Sequence, residues 1–211
     1  MLRDFEHIAA EVGITIPLRL AEFVSVGTVV SLASLWDFQF IDAAESRRFL
    51  ADWLGRELQR EGKFVLFPFG CSGGGDAYCH VVFENGAQGI AVIMHDGAFS
   101  TLDYPSVSHW LSGEYLQVFT NLQEVGGDSD AAVAQLRGEV ESIAHVLLPE
   151  HFEMLTGFLN AEVADRPYRT GPRAREQIVK SLIAQDRAQM LDQSLRCVPQ
   201  IEFVVIPEWE L

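Results

Sequence analysis

With 211 residues, 48% of them hydrophobic and 10% aromatic, the chain can bury a core and is not an intrinsically disordered one. Its 30 acids against 15 bases give a formal charge of −15, which disfavours direct binding of a phosphate backbone; by composition alone it reads as a well-solvated acidic surface, and it is compatible with a basic protein partner. No apolar run approaches the roughly 20 residues of a membrane-spanning helix, and the start, MLRDFEHIAAEVG, lacks a basic-then-apolar leader, so a cytoplasmic protein with no membrane contact is expected.

Helical spacing of Phe5, Ile8 and Ala9 predicts a first helix from Leu2 to about Val12, ended by Gly13. Pro17 suits the first residue of a second helix with Leu20, Phe23 and Val24 on one face. SLASLWDFQFI alternates around Trp36, Phe38 and Phe40 and reads as a strand; residues 43–60 read as a helix with Phe49, Trp53, Leu54 and Leu58 on its apolar side. Three β-rich runs follow, KFVLFPFG (63–70), AYCHVVF (77–83) and GIAVIMH (89–95), separated by turn residues. The second and third are apolar on both faces, as central strands covered by helices are. AFSTL (98–102) reads as a returning edge strand, and a helix starts after Pro105 with Val107, Trp110 and Leu111.

Glu124-Val-Gly-Gly-Asp-Ser-Asp marks a domain boundary. Beyond it, Val133, Leu136, Val140, Ile143 and Leu147 form an amphipathic stripe. We read the stripe as packing on the protein's own core, with a homodimer seam as the alternative. Pro149 begins another helix, ADRPYRTGP reads as a loop, a third helix runs from about Pro172 to Leu195, and IEFVVI (201–206) reads as a strand. Residues 1–165 carry 24 acids and 8 bases, while residues 166–211 carry 7 bases and 6 acids, so the arginine-rich tail is expected to lie against an acidic body. The fold class is α+β, an antiparallel sheet flanked by helices, with residues 1–124 as the main domain and 128–211 as a helical extension ending in a short strand and packed on it.

Gly73-Gly74-Gly75-Asp76 invites comparison with a phosphate cradle, but it runs into a strand rather than a helix and lacks the GK[ST] and GxGxxG patterns. A structural turn, with Asp76 bonding the loop's own amides, fits better. Asp76, His80, His95 and Asp96 are candidate metal ligands; on one strand Asp76 and His80 lie about 13 Å apart and cannot share an ion. Cys71 or Ser72 with His80, His95 or His109 can be drawn as a nucleophilic triad, without a GxSxG elbow to support it. His145 and His151 read as surface or interhelical residues. Cys71, Cys79 and Cys197, an odd count without a CxxC pair, are expected to be buried reduced thiols. No cofactor or metal is expected.

The order IPLRLAEFV (16–24), FPFGCSGGGDAYC (67–79), VIMHDG (92–97) and SVSHWL (106–111) resembles the SUKH superfamily, which joins fungal cell-wall regulators of the Smi/Knr type to bacterial toxin-immunity proteins. The resemblance covers residues 1–119. It implies a protein-binding α+β domain that is not an enzyme, and a cytoplasmic immunity protein that occludes a cognate secreted toxin, for which the acidic balance suits a basic domain. Asp96, Asp103 and Tyr104 are the expected contact residues on exposed loops. A protein-binding regulatory scaffold is the alternative, and a small hydrolase using Cys71 or Ser72 is the second alternative.

Overall fold

The computed structural model of the chain describes residues 2–27, 30–54, 60–61 and 63–205. It is a mixed α+β structure whose largest sheet is antiparallel. Contacts group the chain into two units: residues 1–29, 37–107 and 196–211 form one, and residues 30–36 and 108–195 form the other.

In the first unit, helix α1 (Leu2–Glu11) buries Phe5, Ile8 and Ala9, and α2 (Leu18–Val26) buries Leu20, Phe23 and Val24, as their spacing predicts. Pro17 is the N-cap of α2 rather than its first helical residue. Strand β1 is only Gln39–Phe40. Helix α3 (Ala43–Phe49) starts from a capping box in which Asp42 accepts from the Glu45 amide at 2.8 Å. It continues as a π-helical turn, Leu50–Leu54. The expected helix to residue 60 does not extend that far, because Arg60–Glu61 form strand β2; residues 55–59, with Leu58, lie outside the described residues.

Strands β3 (Phe64–Cys71), β4 (Ala77–Phe83) and β5 (Gln88–Ile93) match the three β-rich runs, and the sheet order is β1-β3-β4-β5. Leu66, Cys79, Val81, Ala91 and Ile93 enter one buried cluster with Phe203 and Val205. On the opposite face Phe67 meets Phe5 edge-on at 5.8 Å and Tyr78 meets Phe38 at 5.2 Å. Burial on both faces is why these strands read as continuous apolar runs. Strand β6 (Phe99–Leu102) does not return to this sheet as a ladder strand. It pairs with β9 (Ile201–Val205) in a separate sheet of order β2-β9-β6.

In the second unit, helices α4 (Val107–Val118, of which Val107 is grouped with the first unit), α5 (Ser129–Ser142) and α6 (Pro149–Leu159) bury Trp110, Tyr115, Leu136, Val140, Leu155 and Leu159. The Gly126-Gly127 stretch leads into α5, capped by Asp128, inside this unit, so the contacts do not divide the chain at 124–128. The stripe residues Leu136, Val140, Ile143 and Leu147 are all buried within the chain.

The expected loop at 164–172 and helix from Pro172 are a β-hairpin instead, β7 (Ala164–Tyr168) with β8 (Gln177–Ser181), and the helix α7 is confined to Gln185–Leu195. Asp165 faces Lys180 across the hairpin and pairs with it at 3.0 Å. Arg166 bonds Ser181 and Arg169 bonds Glu176 at 3.1 Å, so these two arginines serve the hairpin itself. No helix among the described residues is long and apolar enough to cross a membrane.

Candidate functional site

The loop between β3 and β4 closes on itself. The Ser72 amide bonds the Asp76 carbonyl at 2.9 Å, and the Ser72 hydroxyl accepts from the amides of Gly74 at 3.2 Å and Asp76 at 3.0 Å. Gly75 sits at φ +102°, the left-handed region that a side chain resists. The amides of Gly74 and Gly75 therefore point to Ser72 rather than outward to an anion. Asp76 completes the turn: one carboxylate oxygen accepts from the Ser72 hydroxyl at 3.1 Å. The other accepts from the His95 amide at 3.0 Å and from the His95 ring Nδ1 at 2.7 Å. The loop is thus fastened to the turn that follows β5.

These bonds set both titrations. Burial by itself raises the Asp76 carboxyl, but hydrogen bonds from the His95 amide and ring and from Ser72, with the His95 charge, hold it below its ordinary value. His95 is raised by its hydrogen bond to Asp76 and by the Asp76 and Asp96 charges, against a smaller effect of desolvation. A depressed acid contributes stability that is present above its unfolded value of about 3.9 and lost as pH falls through the folded one. A raised histidine contributes stability that is complete below about 6.5 and lost as pH rises through its folded value. Asp76→Ala is therefore expected to lower Tm, with the gap from wild type widest between about pH 4 and 6.5 and narrower at higher pH. Thermal melts of both proteins at pH 5.5 and pH 9 check this; equal gaps at both would remove the Asp76–His95 pair from the account.

The donor atoms of Asp76, His95 and Asp96 lie within 4.8 Å of one another, so three of the four candidate metal ligands converge. His80 does not join them; it is buried with Nδ1 at 3.1 Å from the Gly89 carbonyl, and burial holds its pKa down. Both Asp76 oxygens are already engaged by Ser72 and His95, which makes the cluster a hydrogen-bonded turn.

The order of the same bonds bears on nucleophilic chemistry. Ser72 and His95 are joined through Asp76, whereas a base must itself touch the hydroxyl. Burial and the Glu45 charge push the Cys71 thiol up, outweighing the opposite pull of Arg48, so the thiol stays protonated. Cys79 is buried, while Cys71 and Cys197 are only half-buried, and all three are free thiols. His151, expected at the surface or between helices, is buried and holds the buried Ser108 hydroxyl at 2.8 Å. His109 stacks edge-on against His151 at 4.5 Å, and burial with the His151 charge lowers its pKa to about 4.

The three expected contact residues part company. Asp96 is exposed. Asp103 is held by Arg196 at 3.3 Å and by the Thr101 hydroxyl at 2.7 Å. Tyr104 is buried, contrary to its expected place on an exposed loop, because Arg196 lies over its ring at 4.8 Å and donates to its hydroxyl at 3.0 Å. Arg196 arrives from beyond α7, which the local sequence around Tyr104 does not reveal. A shallow groove of about 420 Å³ lies beside these residues, lined by Val92, Met94, Phe99, Ser100, Thr101 and Glu202 together with Asp103. Met94 and Phe99 are its exposed apolar groups, at 46% and 76%. Sequence reasoning missed both, although the period-two pattern of AFSTL places Phe99 opposite in face to the buried Leu102.

Comparison of the chain with protein-family models, with curated proteins and with solved structures finds no match.

Proposed function

We propose that the chain is an immunity protein of the SUKH type, which binds one cognate secreted protein toxin in the cytoplasm and occludes its active site without a cofactor. The observation that carries this reading is the exposed pair Met94 and Phe99 beside the exposed carboxylates of Asp96 and Glu202, on a unit with 17 acids against 8 bases. Exposed apolar groups rimmed by charge are a protein-binding chemistry. A negative field speeds encounter with a basic partner and disfavours acidic ones. A basic nuclease domain is one such partner, for which an acidic surface stands in place of nucleic-acid phosphate. The motif order supports the same reading: the four quoted stretches fall on α2, on the β3–β4 turn, on the end of β5 and on the start of α4.

Co-expression with the toxin encoded beside its gene is the direct test. Growth should be rescued and a complex should copurify; no rescue and no complex would overturn the proposal.

A further inference from the structure

We infer that the facing first turns of α4 and α6 form an acid-sensitive latch: the two helices stay joined at this end only while His109 and His151 are both uncharged, and uptake of a proton there frees the start of α6 from α4. Its residues, Ser108, His109, Leu148 and His151, all belong to the second unit, and the device is independent of the immunity reading.

The two helices run in the same general direction. His109, in the first turn of α4, meets His151, in the first turn of α6, with ring centroids 4.5 Å apart. At the other end Phe119, one residue past α4, meets Phe158 of α6 at 6.4 Å. Contacts in the same order along both helices place their N-termini side by side, each with the positive end of its dipole turned toward the histidines. A proton on either ring is therefore opposed by the dipoles and by the other ring. Burial adds to this, since His151 is only 7% exposed.

Ser108 couples the charge of His151 to the backbone. Its hydroxyl oxygen accepts from the Leu148 amide at 2.7 Å and lies 2.8 Å from His151 Nδ1. Ser108 is fully buried, so its one hydrogen needs an acceptor, and the His151 nitrogen is within reach. An uncharged His151 with a bare Nδ1 accepts that hydrogen. An imidazolium carries hydrogens on both ring nitrogens, so the same contact would set donor against donor in a site closed to water. The hydroxyl hydrogen must then turn away unsatisfied, at the residue that also holds the Leu148 amide, immediately before Pro149 begins α6.

The surrounding charges leave the pair uncharged at neutral pH. Glu150 of α6 draws a proton toward His109, but it is exposed, and burial with the His151 charge outweighs it, leaving His109 at about 4. The turn before α6 carries the exposed His145, and Glu114, farther along α4, bonds the Trp110 indole at 3.1 Å. The cations brought by α5 and α7 sit at the opposite end of α6: Arg137 bonds the Leu159 carbonyl at 2.7 Å, and Arg187 lies over the Phe158 ring at 5.7 Å. The phenylalanine contact there does not titrate, so the response is confined to the histidine end. A histidine depressed in the folded state keeps its full contribution above its unfolded value of about 6.5. That contribution falls about tenfold per pH unit as pH drops toward the folded value.

The test uses the full chain, with NMR of the histidine side chains and amide exchange followed from about pH 6 to about pH 4.5. His109 should remain uncharged in the folded protein well below the ordinary histidine range. The Leu148 and His151 amides should lose protection at least about tenfold more per pH unit than the amides of Phe119 and Asn160 at the far end. His109→Phe keeps an aromatic ring against His151 and removes one titrating group, so the opening at Leu148 should depend on pH about tenfold less per unit. The latch is overturned if His109 titrates in the folded chain at its ordinary value, if both ends lose protection together, or if His109→Phe leaves the pH dependence unchanged. Should that variant fail to fold at pH 7, the wild-type titration and the contrast between the two ends decide the matter.

Discussion

Glu139→Leu is expected to destabilise the second unit by about 3 kcal/mol or more, because it removes the common acceptor of several buried donors while leaving the space filled. Glu139 is 6% exposed in the middle of α5. It accepts from the Ser34 amide at 3.1 Å, from the Ser34 hydroxyl, and from the Tyr115 hydroxyl at 3.2 Å. Gln135, one turn earlier, adds a bond at 3.0 Å from the solvent side. Burial and the Glu139 charge hold the Tyr115 phenol well above its ordinary pKa, so it stays a donor at every physiological pH. Each buried donor left unsatisfied costs about 1–3 kcal/mol, and water reaches neither Ser34 nor Tyr115 easily. Urea unfolding followed by the fluorescence of buried Trp110 gives the number. A second measurement isolates the cause: Tyr115→Phe should cost about 1 kcal/mol in the wild type but nothing, or less than nothing, in the Glu139→Leu background. A Tyr115→Phe cost that is the same in both backgrounds would show that the two groups are not coupled.

Glu139 also shows where reading the chain locally stops. Its helix is evident from the buried stripe of Leu136 and Val140, but a glutamate on such a helix reads as solvated, and its partner Ser34 lies 105 residues away. The same division runs through the fold. β3, β4 and β5 are legible because β-branched and aromatic runs are cut by Gly and Asn turns, and consecutive antiparallel strands need only those turns to pair. The pairing of β6 with β9 is not legible, since Phe99 and Val204 are brought together by the rest of the unit and leave no trace in either segment's period. The hairpin β7–β8 was hidden by Pro167, which argues against a strand until one sees that it lies in a two-stranded ribbon, where each strand has a free edge. At the site, the role of Asp76 in tying its own loop follows from GGGD, whereas its bonds to His95 depend on β4 and β5 being neighbours. Tyr104 looked like a loop contact because nothing near DYP announces Arg196.

Gly89→Ala is the second substitution with a large expected effect, and it acts at the mouth of the groove. A Cβ on Gly89 would lie 2.2 Å from the Tyr104 carbonyl oxygen and 3.1 Å from its carbon. These are backbone atoms, so no rotamer change relieves the clash, and the glycine is required here by close approach rather than by its dihedral angles. The Tyr104 carbonyl cannot retreat without releasing the Ile90 amide, and the Ile90 carbonyl would in turn lose the amides of Asp103 at 3.0 Å and Tyr104 at 3.1 Å. Overpacking of this kind costs about 1–3 kcal/mol, and each lost hydrogen bond adds about 1 kcal/mol, so a total near 3–5 kcal/mol is expected. Gly73→Ala is the matched control: nothing lies within 4 Å of its added Cβ and its φ is not positive, so its stability should stay within about 0.5 kcal/mol of wild type. Chemical denaturation of the two variants checks the contrast, and amide exchange locates it, with Ile90 and Tyr104 losing protection in Gly89→Ala. A tolerated alanine would mean that the two strands are held together elsewhere.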